Sequence, residues 1–213
     1  MTRNVLPETP LGRPANPEAR AHRKAQILAG AQRCFIRKGF HAATTAEISS
    51  EAGVSVANMY QYFPTKDELI RVMIQADLAE DLDLVRLVNE ADTLAEGLEK
   101  TIRLTTADHE NLSNLGLRLE ILAEAARNPR IAAEVRKADA QITAAVAEMI
   151  ARRQLAGEVS NDIDPGPTAD LIMSLFDGMI GRIALAASNP EALARAATQL
   201  ILAGLGVTPK AAD

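Results

Sequence analysis

Apolar residues recur at helical spacing along most of the chain, and short polar punctuation cuts that pattern into about nine helices. Ile27, Ala31, Cys34 and Phe35 fall on one face of the first. Asn16-Pro17-Glu18 opens it: Asn can cap the free amides, Pro has no amide to lose, and Glu suits the positive helix end. Gly39 can take the left-handed conformation that stops it. Thr44-Thr45-Ala46-Glu47 fits a capping box and predicts a short helix running to Ala52. Gly53 permits the positive φ of a tight turn, and Ser55 is placed to cap a second short helix, Val56 to Tyr62, closed by Pro64. Thr65-Lys66-Asp67-Glu68 repeats the capping-box pattern and opens a long amphipathic helix through Leu69, Val72, Met73 and Ala76 into the high eighties. Five more helices are expected at 93–109, 111–126, 129–154, 166–187 and 190–205, with 157–167 the longest loop among them.

Composition narrows this to an all-α fold. Aromatic residues are 3% of the chain, Trp is absent, and no β-branched runs support a large sheet. Residues 1–16, punctuated by Pro7, Pro10 and Pro14, read as a flexible arm without the apolar core of a secretory signal, so a cytoplasmic protein is expected. The most apolar window, Leu171 to Ala187, carries Asp177 and Arg182 and reads as a buried helix, with no membrane partner implied. Cys34 is the only cysteine, which excludes an intramolecular disulfide and a thiolate zinc site. Charge changes the picture most. Residues 1–66 carry nine Lys/Arg against four Asp/Glu, net +5, whereas residues 67–213 carry 14 against 24, net −10. A basic head on an acidic body is what phosphate binding at one end requires, although a solvated basic face has the same count.

Thr45 to Phe63 is therefore a helix, a turn at Gly53 and a second helix: a helix-turn-helix. Ile48, Ala52, Val54 and Met59 supply the small apolar contacts between the two helices, leaving the opposite face of Val56 to Tyr62 outward, where it suits a DNA major groove. An ordinary αα-hairpin satisfies the bare pattern equally well. An all-α enzyme is disfavoured. None of His22, His41 or His109 follows a Glu by three residues, as bundled metal sites need, and no phosphate-cradling or zinc-protease motif occurs. No metal or cofactor is expected.

The block Ile27-Leu28, Ala31, Phe35, Gly39-Phe40, Thr44-Thr45, Ile48, Ala52-Gly53-Val54-Ser55, Met59-Tyr60, Tyr62-Phe63, Lys66 and Leu69-Ile70 resembles the N-terminal signature of the tetracycline-repressor family. It covers about residues 20–72; the rest is similar in helix number, length and placement only. Ser49 stands where that family usually has Ala. The resemblance implies a DNA-binding transcriptional regulator, of repressor habit, without enzymatic activity. Its organisation would be an arm over 1–16, a three-helix DNA-binding domain over 17–66, and a helical ligand-binding and dimerisation domain over 67–213. Carried over by position, Thr44 and Thr45 would donate to phosphate and Ala46 would face a base. Val56, Ala57 and Tyr60 would approach base edges, while Asn58, Tyr62 and Lys66 would contact phosphate, with Ser55 capping the reading helix among them. Each has a bland alternative as cap, core or solvated residue, and Arg3, Arg13, Arg20, Arg23 and Lys24 either extend the binding surface or keep the arm soluble.

The same resemblance implies three partners: a double-stranded DNA operator of palindromic form, a second copy of the chain, and a small-molecule inducer. A homodimer would place two reading heads one helical turn apart, ~34–36 Å. Leu171, Leu175, Met179 and Ile183 form one apolar stripe for the seam, and Leu193, Ala197, Leu200 and Ile201 a second; the alternative is that they face the chain's own core. Leu104, Leu115, Leu119, Leu122 and Met149 are candidates for an inducer pocket, with Asp108 and Asp177 as polar contacts and His109, Arg118 and Glu120 as further ones. The rival reading is a helical module that docks another protein and binds no specific DNA.

Overall fold

The computed structural model describes residues 17–106, 109–186 and 188–207; the side chains of 106 and 109–114 lie outside that description, as do the arm and Asp108. Among the described residues every element is helical: α1 (Pro17–Lys38), α2 (Thr45–Glu51), α3 (Val56–Tyr62), α4 (Lys66–Glu90), α5 (Leu94–Thr106), α6 (His109–Ala125), α7 (Pro129–Leu155), α8 (Pro165–Ala184) and α9 (Pro190–Gly204). The caps carry the boundaries. Thr44 accepts from the Glu47 amide while the Glu47 carboxylate accepts from the Thr44 amide, the expected reciprocal box. Thr65 accepts from the Glu68 amide, but the Glu68 carboxylate turns outward to Arg71 at 2.5 and 2.9 Å, so that second box is one-sided. Asn128, Asp164 and Asn189 each cap a helix whose first residue is proline. Gly39 at φ 78° and Gly53 at φ 63° take the left-handed turns that end α1 and separate α2 from α3.

Two cores organise these helices. The first buries Ile27, Ala31, Cys34 and Phe35 of α1 with Ile48, Met59 and Phe63, and it is completed by Leu69, Ile70, Met73 and Ile74 from the first turns of α4. Ile121 of α6 and Ile131 of α7 reach into it, so the N-terminal head is seated on the body. The second core gathers Val88 at the end of α4, Leu94 to Ile102 of α5, and inward faces of α7, α8 and α9. α4 thus runs from one core to the other.

The long loop after α7 is pinned. Gln154 donates to the Ser160 and Ile163 carbonyls at 2.8 Å, and buried Arg153 donates to the Val88 and Ala91 carbonyls while pairing with Glu158.

Candidate nucleic-acid interface and inner cavity

α2 and α3 are held at their crossing by Ile48, Ala52, Met59 and Phe63, all nearly fully buried. Ser49 is buried there too, and its hydroxyl donates to the Met59 sulfur at 3.4 Å, a contact that alanine would lack. Gly30 of α1 lies where a Cβ would come within 2.9 Å of the Ala52 Cβ and backbone nitrogen, so α1 approaches the end of α2 as closely as glycine allows. With its inner face committed, α3 presents Val56, Ala57, Tyr60 and Gln61 outward; Tyr60 is 46% exposed. Thr44, Ala46 and Ser55 are exposed at the adjoining helix starts, while Thr45, Asn58 and Tyr62 are half-buried. Gln61 was not singled out by the sequence, though it follows Tyr60 on the same outward face and accepts from the Asn58 amide group at 3.3 Å.

Charges around this surface divide into paired and available. Arg33 and Arg37 of α1 bond to Glu51, and Lys38 bonds to Glu47, whose pKa that contact and the Thr44 cap hold down to about 2. Those cations fasten α1 to α2. Arg20 stacks over the Tyr62 ring at 5.1 Å, carrying a guanidinium from the first turn of α1 to the end of α3.

Lys66 departs from the role implied for it. Its ammonium donates to the carbonyls of Phe40 at 2.6 Å, Ala43 at 2.8 Å and His41 at 3.5 Å, and lies 4.5 Å from the Phe40 ring centroid. Burial pushes its pKa below the ordinary lysine value, with Glu124 and Asp67 opposing the fall. All three N–H bonds are thereby used in holding the turn between α1 and α2, which leaves none for a phosphate. α6 grips the same turn from the other side: Glu120 accepts from the Phe40 amide at 2.7 Å, and the buried Glu124 carboxylate lies 2.8 Å from His41 Nε2, an ion pair when that imidazole is protonated. Glu120, expected as a polar pocket contact, is this clamp instead.

Behind the head, α4 to α9 line a partly open cavity of about 350 Å³, within the range of small-molecule sites, roughly 300–1,000 Å³. Of the pocket candidates, Leu104, Leu115 and Met149 line this cavity, whereas Leu119, Leu122 and Asp177 do not; Leu122 is 46% exposed on the outside of α6. A helix facing two ways cannot put every apolar position on one wall. Arg118 lines the cavity, donating to Asp77 at 2.9 Å and to Asp81, both on α4. The sequence reading does not single out these two aspartates, yet Met73, Asp77, Asp81, Leu84 and Val88 sit at i, i+4, i+8, i+11 and i+15. Carboxylates interrupting an apolar stripe were the available signal.

The expected dimer stripes split. Met179, Ile183, Ala197 and Ile201 are buried against the chain's own core, and three of these, Met179, Ile183 and Ile201, also line the cavity, so they are corrected from seam to interior. Leu175 and Leu193 are half-buried and pack on the second core. Leu171 at 71% and Leu200 at 63% exposure remain outward, as does Leu185.

A helix-turn-helix with an outward second helix, mounted on a helical body, defines a DNA-binding regulator. Comparison with known proteins agrees. The family described as bacterial regulatory proteins, tetR family, matches residues 27–73, and the C-terminal region of BetI-type transcriptional repressors matches residues 94–206. The chain is 31% identical over 179 residues to the HTH-type transcriptional regulator UidR of Escherichia coli K12, covering 82% of this chain and 86% of that one. It is 27% identical over 174 residues to the HTH-type transcriptional repressor Rv1474c of Mycobacterium tuberculosis, covering 82% and 88%. Among solved structures, Salmonella enterica GusR superposes with a TM-score of 0.76 at 25% identity, covering 87% of this chain and 96% of that one. The chain belongs to the tetracycline-repressor family of helix-turn-helix transcriptional regulators. Among the described residues no helix is long and apolar enough to cross a membrane.

Proposed function

We propose that this regulator acts as a repressor: a homodimer binds a palindromic operator through α3, and a small molecule entering the inner cavity releases it. The observation that carries the reading is α6, which touches both sites. On that one helix Arg118 stands in the cavity wall, while Glu120 and Glu124, two and six residues further on, hold the turn between α1 and α2. A ligand that displaces Arg118 from Asp77 and Asp81 pushes on the helix that seats the head. Such a ligand acts only through its different affinity for the two arrangements.

Val56, Ala57 and Tyr60 are the base-facing group in this reading. Because valine and alanine offer no hydrogen bonds, they read thymine methyls by contact, and Tyr60 supplies the polar contact. Thr44, Thr45, Asn58 and Tyr62 with Arg20 above it position the phosphates, and Lys66 acts by fixing the turn. The test is fluorescence anisotropy on DNA from upstream of its own gene. The full-length protein should bind a discrete palindrome in a salt-dependent way, and Tyr60→Ala with Ala57→Glu should remove selectivity without unfolding the head. Equal affinity for every duplex, or indifference to both substitutions, would overturn it.

A further inference from the structure

The walls of the inner cavity bear on the chemistry of its occupant; this rests on reading the cavity as the effector site. Asp77, Glu80 and Asp81 line its α4 side within about one helical turn. Arg118 is the only cation among the described lining residues. The lining thus carries three carboxylates to one guanidinium, and that guanidinium is already shared between Asp77 and Asp81. Burial, reinforced by Asp77 and Glu80 and opposed by Arg118, pushes the Asp81 pKa up to about 6, so the cluster holds more negative charge than its surroundings stabilise. An incoming anion must pull Arg118 from both aspartates and then lie beside Glu80. An incoming cation meets charge that nothing yet balances.

Thr101, in the α5 wall, is 7% exposed, and its hydroxyl has no hydrogen-bond partner. The neighbouring Thr105 hydroxyl instead donates to the Thr101 and Ile102 carbonyls. A buried hydroxyl left alone is costly, and an occupant of the cavity is what would satisfy it. Beyond these groups the wall is apolar, and Met149, Met173 and Met179 give it adaptable surface.

We infer that the cavity binds an amphipathic cation, its amine or quaternary ammonium end lying against Asp77, Glu80 and Asp81 and its apolar body reaching toward Val88 and Ile201. Titration calorimetry on the full-length protein with decyltrimethylammonium, decanol and decanoate, each below its micelle concentration, tests this. The ammonium probe should bind about tenfold or more tighter than either of the others, the scale of one charged contact. Asp81→Asn should erase most of that preference. So should Glu80→Gln in part; Glu80 is exposed, and its loss leaves both Arg118 pairs intact, so misfolding does not confuse the result. Decanoate or decanol binding as tightly, no probe binding, or a preference untouched by both substitutions overturns the inference. Operator affinity is read separately. An ammonium probe that binds with the stated preference and leaves the operator bound supports the ligand class and removes the release mechanism; decanoate binding and releasing the operator does the reverse.

Discussion

Lys66 shows what a side chain does when three carbonyls compete for it. A free surface lysine would meet DNA as a point charge, but this one closes the turn at Phe40, His41 and Ala43. Lys66→Met strands those acceptors and should cost about 1–3 kcal/mol in denaturant unfolding. DNA affinity should fall alike for all sequences with the salt slope unchanged, whereas loss of a phosphate contact would lower the slope by about one. Burial pushes the Asp81 pKa up to about 6, above its unfolded value, so the folded state binds more protons between roughly pH 4 and 6, and this group's contribution weakens as pH rises through that window. Relative to wild type, Asp81→Asn should therefore gain stability as pH rises from about 4.5 to 7, measured as guanidinium midpoints. A difference independent of pH would show that Asp81 titrates normally.

At the scale of elements, α6 is the piece whose role the pattern of residues concealed. Periodicity places a helix there, and acidic residues on its surface look like ordinary solvated positions. Only the seating of the head against the body brings Glu120 to the Phe40 amide and Glu124 to His41, residues 80 or more positions away in sequence. Glu120→Ala should cost on the order of 1 kcal/mol in stability. It should also leave operator binding nearly intact while shrinking the ligand-induced loss of affinity, read by anisotropy with and without ligand; full retention of the ligand effect would mean coupling travels by α4 alone. By contrast α1 to α3 were legible throughout, because caps, glycine turns and a local apolar face decide them within a few residues.

For the whole molecule, the question is which apolar surface the single chain leaves uncovered. Leu171 and Leu200 project outward from the two C-terminal helices at 71% and 63% exposure, alongside Leu185. Exposed leucines on adjacent helices fit an isologous seam in which each copy covers the other. Leu171→Glu with Leu200→Glu should give a monomer by sedimentation, with operator affinity reduced far more than the change in each head's fold would explain. A variant that remains dimeric would place the seam elsewhere.

The amino-acid order by itself determined the helices, the turn at Gly53, the outward face of α3 and the family, since each depends on neighbours within about four residues along the chain. Tertiary structure alone decided that Lys66 faces carbonyls, that Met179, Ile183 and Ile201 turn inward to line the cavity, and that Asp77, Asp81 and Arg118 meet. A helix with apolar residues on more than one side carries no local mark of which side its own chain will cover. That choice is made when distant helices pack, and burial then assigns each charge its partner.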